Sequence, residues 1–307
     1  MTMKFLKQFW KIRYARIPFV LCVIFFMIAI GAEIYSVYCQ SHDITPIYQI
    51  QEPDMRNHAP NARHWLGTDY LGRDVLIRTI FASKTAVKVG IIASCISSLF
   101  GVFLGLLGGY FGGRTDRFVL WIYSTFAAMP SLLFILAFAL LISKGFLCEP
   151  LQLFFKGFAA CFHTEPGMMA VYMGIGLTGW VPLCRVVRAE TLRLREMQYV
   201  TAAKAMGASH CRIMFHHILP NLTHLVIVYF SMHFASAVMT EVLVSYLGLG
   251  VQFEPSWGLM ISNGQMLLWR GIWWEIFAAT GFMFILVLAL NMTGDALRDV
   301  LDPRHTS

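Results

Sequence analysis

Ten histidines, seven cysteines and a few ionisable residues inside apolar runs are the candidates for chemistry in this sequence. They do not converge. His216 and His217 are adjacent, so on a helix they point about 100° apart, a poor start for a metal site. The cysteines form no CxxC pair and no zinc spacing. Cys22, Cys95 and Cys184 lie in or at apolar runs and read as small hydrophobes. No G-x-x-x-x-G-K-[ST] phosphate loop and no G-x-S-x-G nucleophile motif occurs. The residues therefore predict no catalytic site, no metal and no cofactor on this chain. If the protein drives active transport, its energy comes from another chain.

What must be positioned is carried on membrane helices. Of 307 residues, 57% are hydrophobic and 13% are charged; a soluble domain averages about 25% charged. The deficit predicts an all-α polytopic membrane protein. The net charge of +7 does not imply nucleic acid, because the positive residues sit at the ends of apolar runs, where membrane orientation explains them. A span needs about 20 mostly apolar residues. Six are expected: 17–38, 86–110, 118–143, 168–187, 222–246 and 273–294. Lys4, Lys7, Lys11, Arg13 and Arg16 precede the first and put the N-terminus in the cytoplasm. Alternation then puts the Arg114/Arg117 turn, the 185–221 loop and the tail after Asp295 inside too. The first span is longer than a signal-peptide apolar region of about 7–15 residues, so an uncleaved anchor is expected. The organisation follows: 1–16 cytoplasmic, 17–85 first span and outer segment, 86–294 the transmembrane core, 295–307 a cytoplasmic tail.

Within the spans, Gly101, Gly105, Gly109 and Gly113 recur every four residues and predict a face for close helix approach. Pro130 predicts a kink or a freed carbonyl in the third span. Ionisable residues in the membrane are functional candidates by default. Glu33 and Lys88 lie near span ends and are expected to reach water. Glu241 lies deeper; it lines a polar path, pairs with a basic group, or sits near the interface.

The most informative segment is the long basic stretch from Arg185 to Asn221, which cannot stay in a bilayer. Residues 189–197 are good helix formers and extend the fourth helix. Ala202, Ala203, Lys204, Ala205 and Met206 form a short helix with small side chains, ended by a reversal at Gly207. Ser209 caps the next helix, 210–217. Pro220 is expected to stop it before the fifth span. The product is a helix–turn–helix at the membrane surface with an apolar side at Ile213, Met214 and Ile218. On physical grounds it is either gripped by another protein or an idle interfacial connection.

The Ala202-Ala203, Gly207, Leu219-Pro220 pattern resembles the EAA loop of ABC importer permeases, and the spacing matches without a gap. Thr201 stands where that family usually has Glu, which puts a carboxylate contact from that position in doubt; Glu196 or Lys204 are the alternatives. His64–Asp74, Tyr246–Gly258 and Gly294–Arg304 resemble the outer segment, outer loop and tail of the C-type subunit of the peptide/nickel group. The resemblance covers nearly the whole chain. It implies a coupling loop that inserts into a cytoplasmic ATPase through Thr201, Ala202, Ala203, Lys204, Gly207, Ile218, Leu219 and Pro220. It also implies a bacterial inner-membrane location, a homologous second permease, two ATPase subunits that hold ATP and Mg, and a periplasmic binding protein. The implied cargo is a di- or oligopeptide; nickel, glutathione or another small cargo is the alternative. A stand-alone secondary transporter is the distant one, because it would need coupling residues near the midplane.

One segment departs from the family. Residues 144–167 exceed a short outer turn and carry Phe154, Phe155, Phe158 and Phe162. They predict an amphipathic outer helix on membrane lipid or against a partner. Cys148 and Cys161 would pair as a disulfide in an oxidising compartment; two unpaired thiols are the alternative.

Overall fold

The computed structural model describes residues 13–146, 149–250 and 254–301, and the regular elements there are helical. They are α1 Arg13–Ser41, α2 Val75–Phe111, α3 Gly113–Ala128, α4 Ser131–Ser143 and α5 Glu149–Cys161. Then follow α6 Pro166–Leu194, α7 Gln198–Ala205, α8 Leu219–Tyr246, α9 Trp257–Gln265 and α10 Trp274–Leu301. Between α7 and α8 lie one helical turn, His210–Arg212, and a π-turn, Ile213–Ile218. Among the described residues five helices are long and apolar enough to cross a membrane, and the bent pair α3–α4 makes a sixth if it counts as one span.

The expected third span is thus broken, with α3 and α4 meeting at 90°. Pro130 is the cause. It has no N–H to donate, and it drives Met129 into extended backbone because the residue before proline cannot keep the helical conformation comfortably. The pair still follows α6: its partners there run backwards from Arg188 (Asp116) through Trp180 (Phe126) to Gly174 (Ile135). The chain therefore traverses the bundle once over α3–α4.

The second span begins earlier than expected, at Val75. The Asp74 side chain accepts from Ile77 N at 3.0 Å and caps it. Hydropathy hid this first part of α2 because Arg78, Thr79, Ser83, Lys84 and Thr85 are polar, yet all five are buried.

α2 and α6 form the most extensive helix pair. Cβ atoms at Gly101, Gly105 and Gly109 would lie 3.0, 2.9 and 2.7 Å from the carbonyl oxygens of Trp180, Cys184 and Arg188. The partner row advances by the same four-residue step, so the helices run parallel with backbones nearly touching. Gly113 does not belong to this row. It opens α3 with φ +53°, next to Gly112 at φ +67°, and a Cβ there would meet nothing.

Pro220 does not stop the helix before it. It sits in the first turn of α8, and the helix continues from His210 to Tyr246. The π-turn just before it gives the physical reason. Wider i→i+5 bonding skips the hydrogen bond that proline cannot make and relieves its clash with the preceding turn.

α10 begins beside the start of α2, where Trp274 Nε1 donates to Thr68 O at 2.9 Å. It ends beside the start of α1, where Tyr14 Oη donates to Asp299 Oδ2 at 2.5 Å. Both described chain ends therefore lie at the α7 end of the bundle. Residues 144–167 do hold a helix, α5, with Phe155 and Ala159 buried and Leu153 and Phe154 exposed. Cys148, and with it the Cys148–Cys161 pairing, lies outside the described residues.

Candidate functional site

The helix–turn–helix between α6 and α8 is the candidate site. Its apolar side is formed as expected: Ile213, Met214 and Ile218 are buried in one cluster with Val200, Ala203, Leu106, Leu183 and Val187. The hairpin is thereby cemented onto the ends of α2 and α6. Gly207 makes the reversal at φ +79°, and a Cβ there would meet nothing within 4 Å. The Ser209 side chain accepts from Arg212 N and caps the next turn.

The expected docking residues divide. Ala203 and Ile218 are buried in the chain's own core at 2% and 0% exposure, so they hold the hairpin and offer nothing to a partner in this conformation. Leu219 is half-buried against the same cluster. Thr201, Ala202, Lys204, Gly207 and Pro220 are exposed. Thr201 Oγ1 donates to Gln198 O at 2.8 Å, which satisfies its own helix. Lys204 Nζ lies 5.5 Å from the Tyr110 ring centroid, and Glu196 accepts from Arg195 Nε at 2.9 Å. Both alternatives for the missing carboxylate are therefore already engaged within the chain.

The sequence reading did not single out the hairpin's exposed apolar residues, of which Met206 at 82% and Phe215 at 52% are the most exposed. Met206 stands on the turn itself, and Phe215 faces outward from the π-turn. A helical wheel drawn through the π-turn misplaces Phe215, since the extra residue rotates the register.

Polar contacts tie the hairpin to the end of α2. Tyr110 Oη lies 2.9 Å from His210 Nδ1. Arg195 Nη1 donates to Gly109 O at 3.1 Å, at the end of the glycine row. Arg188 grips Asp116 with two parallel hydrogen bonds, Nη2 to Oδ2 being 2.7 Å, and so fixes the start of α3 to α6.

The opposite end is built around charge. Asp69 Oδ1 accepts from Leu71 N and Arg73 N at 2.9 Å each, while Oδ2 accepts from Arg73 Nε at 2.7 Å and from Arg78. Lys88 pairs with Glu33 at 2.8 Å and Lys84 with Glu254 at 3.1 Å. Glu33 and Lys88 thus meet each other, where the sequence reading sent each to water. The match needs α1 and α2 side by side, which local spacing does not encode. Tyr48, in the turn after α1, packs on Phe81 with ring centroids 4.9 Å apart; burial pushes its phenol up to about 12. Glu241 is buried and accepts from Ser245 Oγ at 2.6 Å. It pairs with a hydroxyl and lines no open surface in this conformation. Among the described residues no cluster of three metal-ligating side chains occurs.

Residues 101–307 match the binding-protein-dependent transport system inner membrane component family. The chain belongs to that family. Bacillus subtilis relatives agree over most of the length. Its oligopeptide transport system permease protein is 31% identical over 298 residues, 97% of this chain and 88% of the relative. Its dipeptide transport system permease protein is 32% identical over 287 residues, 93% and 80% of the two chains. The glutathione transport system permease protein of Pectobacterium atrosepticum is 29% identical over 302 residues, 98% and 92%. As an inner membrane component, the chain is a multi-pass transport subunit. The family match takes in the glycine row, the hairpin, α8 and α10, while α1 and the charged segment before α2 precede it.

Proposed function

We propose that this chain is the permease subunit of an ATP-driven importer of di- or oligopeptides, and that the α7 hairpin is where the drive enters. The supporting observation is the hairpin's division of labour. Ala203, Ile213 and Ile218 are sunk into the bundle while Thr201, Ala202, Met206 and Gly207 stand clear of it. An idle connection has no need of an ordered turn that presents Ala202, Lys204, Met206 and Gly207 to the outside. The cargo rests on the relatives' oligopeptide and dipeptide names. The glutathione relative supports a small tripeptide-like cargo as the second reading.

In this reading the chain is not an enzyme. ATP and Mg belong to two ATPase subunits at the hairpin end, which is cytoplasmic, as are both termini. A homologous second permease completes the pathway, and a periplasmic binding protein delivers cargo at the end holding Asp69 and Glu254. Closure of the ATPases biases a two-state membrane assembly. The hairpin passes that bias to α2 and α6 through Tyr110, Arg195 and the shared apolar cluster, and to α8 directly through the continuous backbone.

Reconstitution tests this. The chain in proteoliposomes with its second permease, ATPases and binding protein should take up labelled peptide only with ATP inside. Uptake by the purified chain alone would sink the reading in favour of a secondary transporter.

A further inference from the structure

His233 sits in the middle of α8, about 24 Å along the helix axis from His217 at 1.5 Å per residue. It is the polar side chain that α8 brings to a three-helix junction with α2 and α6. Its Nδ1 lies 3.3 Å from Ser94 Oγ and its Nε2 lies 3.2 Å from Ser97 Oγ, both on α2. Ser97 Oγ donates to Gly176 O on α6 at 2.9 Å. Ser97 has one hydroxyl hydrogen and spends it on Gly176, so towards His233 it accepts and Nε2 carries a proton. In the neutral ring Nδ1 then accepts from Ser94, and every link of Ser94→His233→Ser97→Gly176 is used.

The fit is made by glycine. A Cβ at Gly179 on α6 would lie 1.7 Å from His233 Nε2 and 2.6 Å from Ser97 Oγ. Among the described residues, His233 is the side chain between Leu222 and Val238 that hydrogen-bonds another helix. Helix association in lipid has no hydrophobic drive and relies on close packing and such polar links, each individually modest. One such link can hold a register and can also be broken within a transport cycle.

We propose that His233 is a positioning residue for transport: the Ser94–His233–Ser97–Gly176 chain registers α8, the helix that leaves the hairpin, against the α2–α6 unit. This rests on the importer reading above. Without the link, motion of the hairpin still occurs, but α8 no longer carries it to the core in step with α2 and α6. ATP is then hydrolysed without matching cargo movement.

The test uses the full complex in proteoliposomes, reading assembled complex, ATP hydrolysis and cargo moved per ATP. The ratio is read with whichever cargo the unmutated complex moves, so failure of the peptide assignment leaves this test standing. His233→Leu should lower the ratio at least tenfold with assembly and hydrolysis retained. His233→Gln, which can both donate and accept, should recover it to within about threefold. Gly179→Ala, which evicts the ring, should behave like His233→Leu. A ratio within twofold of the unmutated complex for His233→Leu overturns the proposal. So does equal loss in the Leu and Gln variants, or a fall in assembled complex at constant ratio, which would make the imidazole a fold contact only.

Discussion

Arg188 and Asp116 face each other with side chains 20% and 18% exposed, and their two-pronged contact is the ion pair that holds α3 to α6 among the described residues. Hydrogen bonds to charged groups are worth about 1.5–3 kcal/mol each way of counting. Arg188→Ala should therefore lower the thermal midpoint of the detergent-solubilised complex, and the swap Arg188→Asp with Asp116→Arg should recover part of the loss. No recovery would mean that the guanidinium acts by packing alone. Lys84 is a harsher case, being 2% exposed between Glu254 and Glu33. Removing one partner of a buried pair costs about 3–5 kcal/mol, because the other charge is stranded. Lys84→Met should be strongly destabilising, while Lys84→Met with Glu254→Gln should be milder than the single change, as read by melting or protease sensitivity. At this scale little was legible in the sequence. Glu33 and Lys88 looked like separate surface-seeking charges because a single-chain reading sees distance along the chain, and their partnership exists only after α1 packs on α2.

Elements were more legible, with failures that share a cause. The four-residue glycine step announced a close-packing face, but it could not name the partner, since α6 answers with backbone carbonyls at Trp180, Cys184 and Arg188, which any residue supplies. It also counted Gly113, which the Gly112–Gly113 turn removes from the row. Pro130 was expected to kink its span and Pro220 to stop its helix, and the outcomes are the reverse in severity because only Pro220 has a π-turn before it to absorb the missing bond. A direct prediction tests the face. At Gly105 a Cβ would lie 2.8 Å from Val187 Cβ, and overpacking a tight contact costs about 1–3 kcal/mol. Gly105→Val should force α2 from α6 and cut the yield of assembled complex. Gly31→Ala, where a Cβ on α1 meets nothing within 4 Å, should leave the yield unchanged. Equal yields for the two variants would remove the glycine row from the account of this fold.

For the whole molecule the issue is which surface would receive the drive of the proposed importer. Sequence spacing located the hairpin and its turn correctly but could not tell its buried arm from its exposed one, because small and apolar residues serve both roles. The structure separates them by exposure, with Met206 at 82% and Ile218 at 0%. The separation makes a site-specific cross-linking prediction. In a Cys211→Ser background, which removes the exposed thiol of the hairpin, Met206→Cys should cross-link to an ATPase subunit through a short bifunctional reagent. Ile218→Cys should not, since its side chain is buried in the apolar cluster that includes Leu106, Val187 and Leu222. Gly207 then distinguishes contact from strain. Its φ of +79° disfavours a β-branched side chain, although a Cβ would clash with nothing in this chain. Gly207→Val should weaken both Met206 cross-linking and peptide uptake. Gly207→Asn, which tolerates the left-handed region better, should restore the turn while still adding bulk at the surface. If Gly207→Asn recovers uptake, the glycine serves the turn. If it recovers folding but not cross-linking or uptake, the bare surface at Gly207 is itself part of the contact. Cross-linking from Ile218→Cys as strong as from Met206→Cys would mean that the hairpin opens on docking, and the division between buried and exposed arms would no longer explain the coupling.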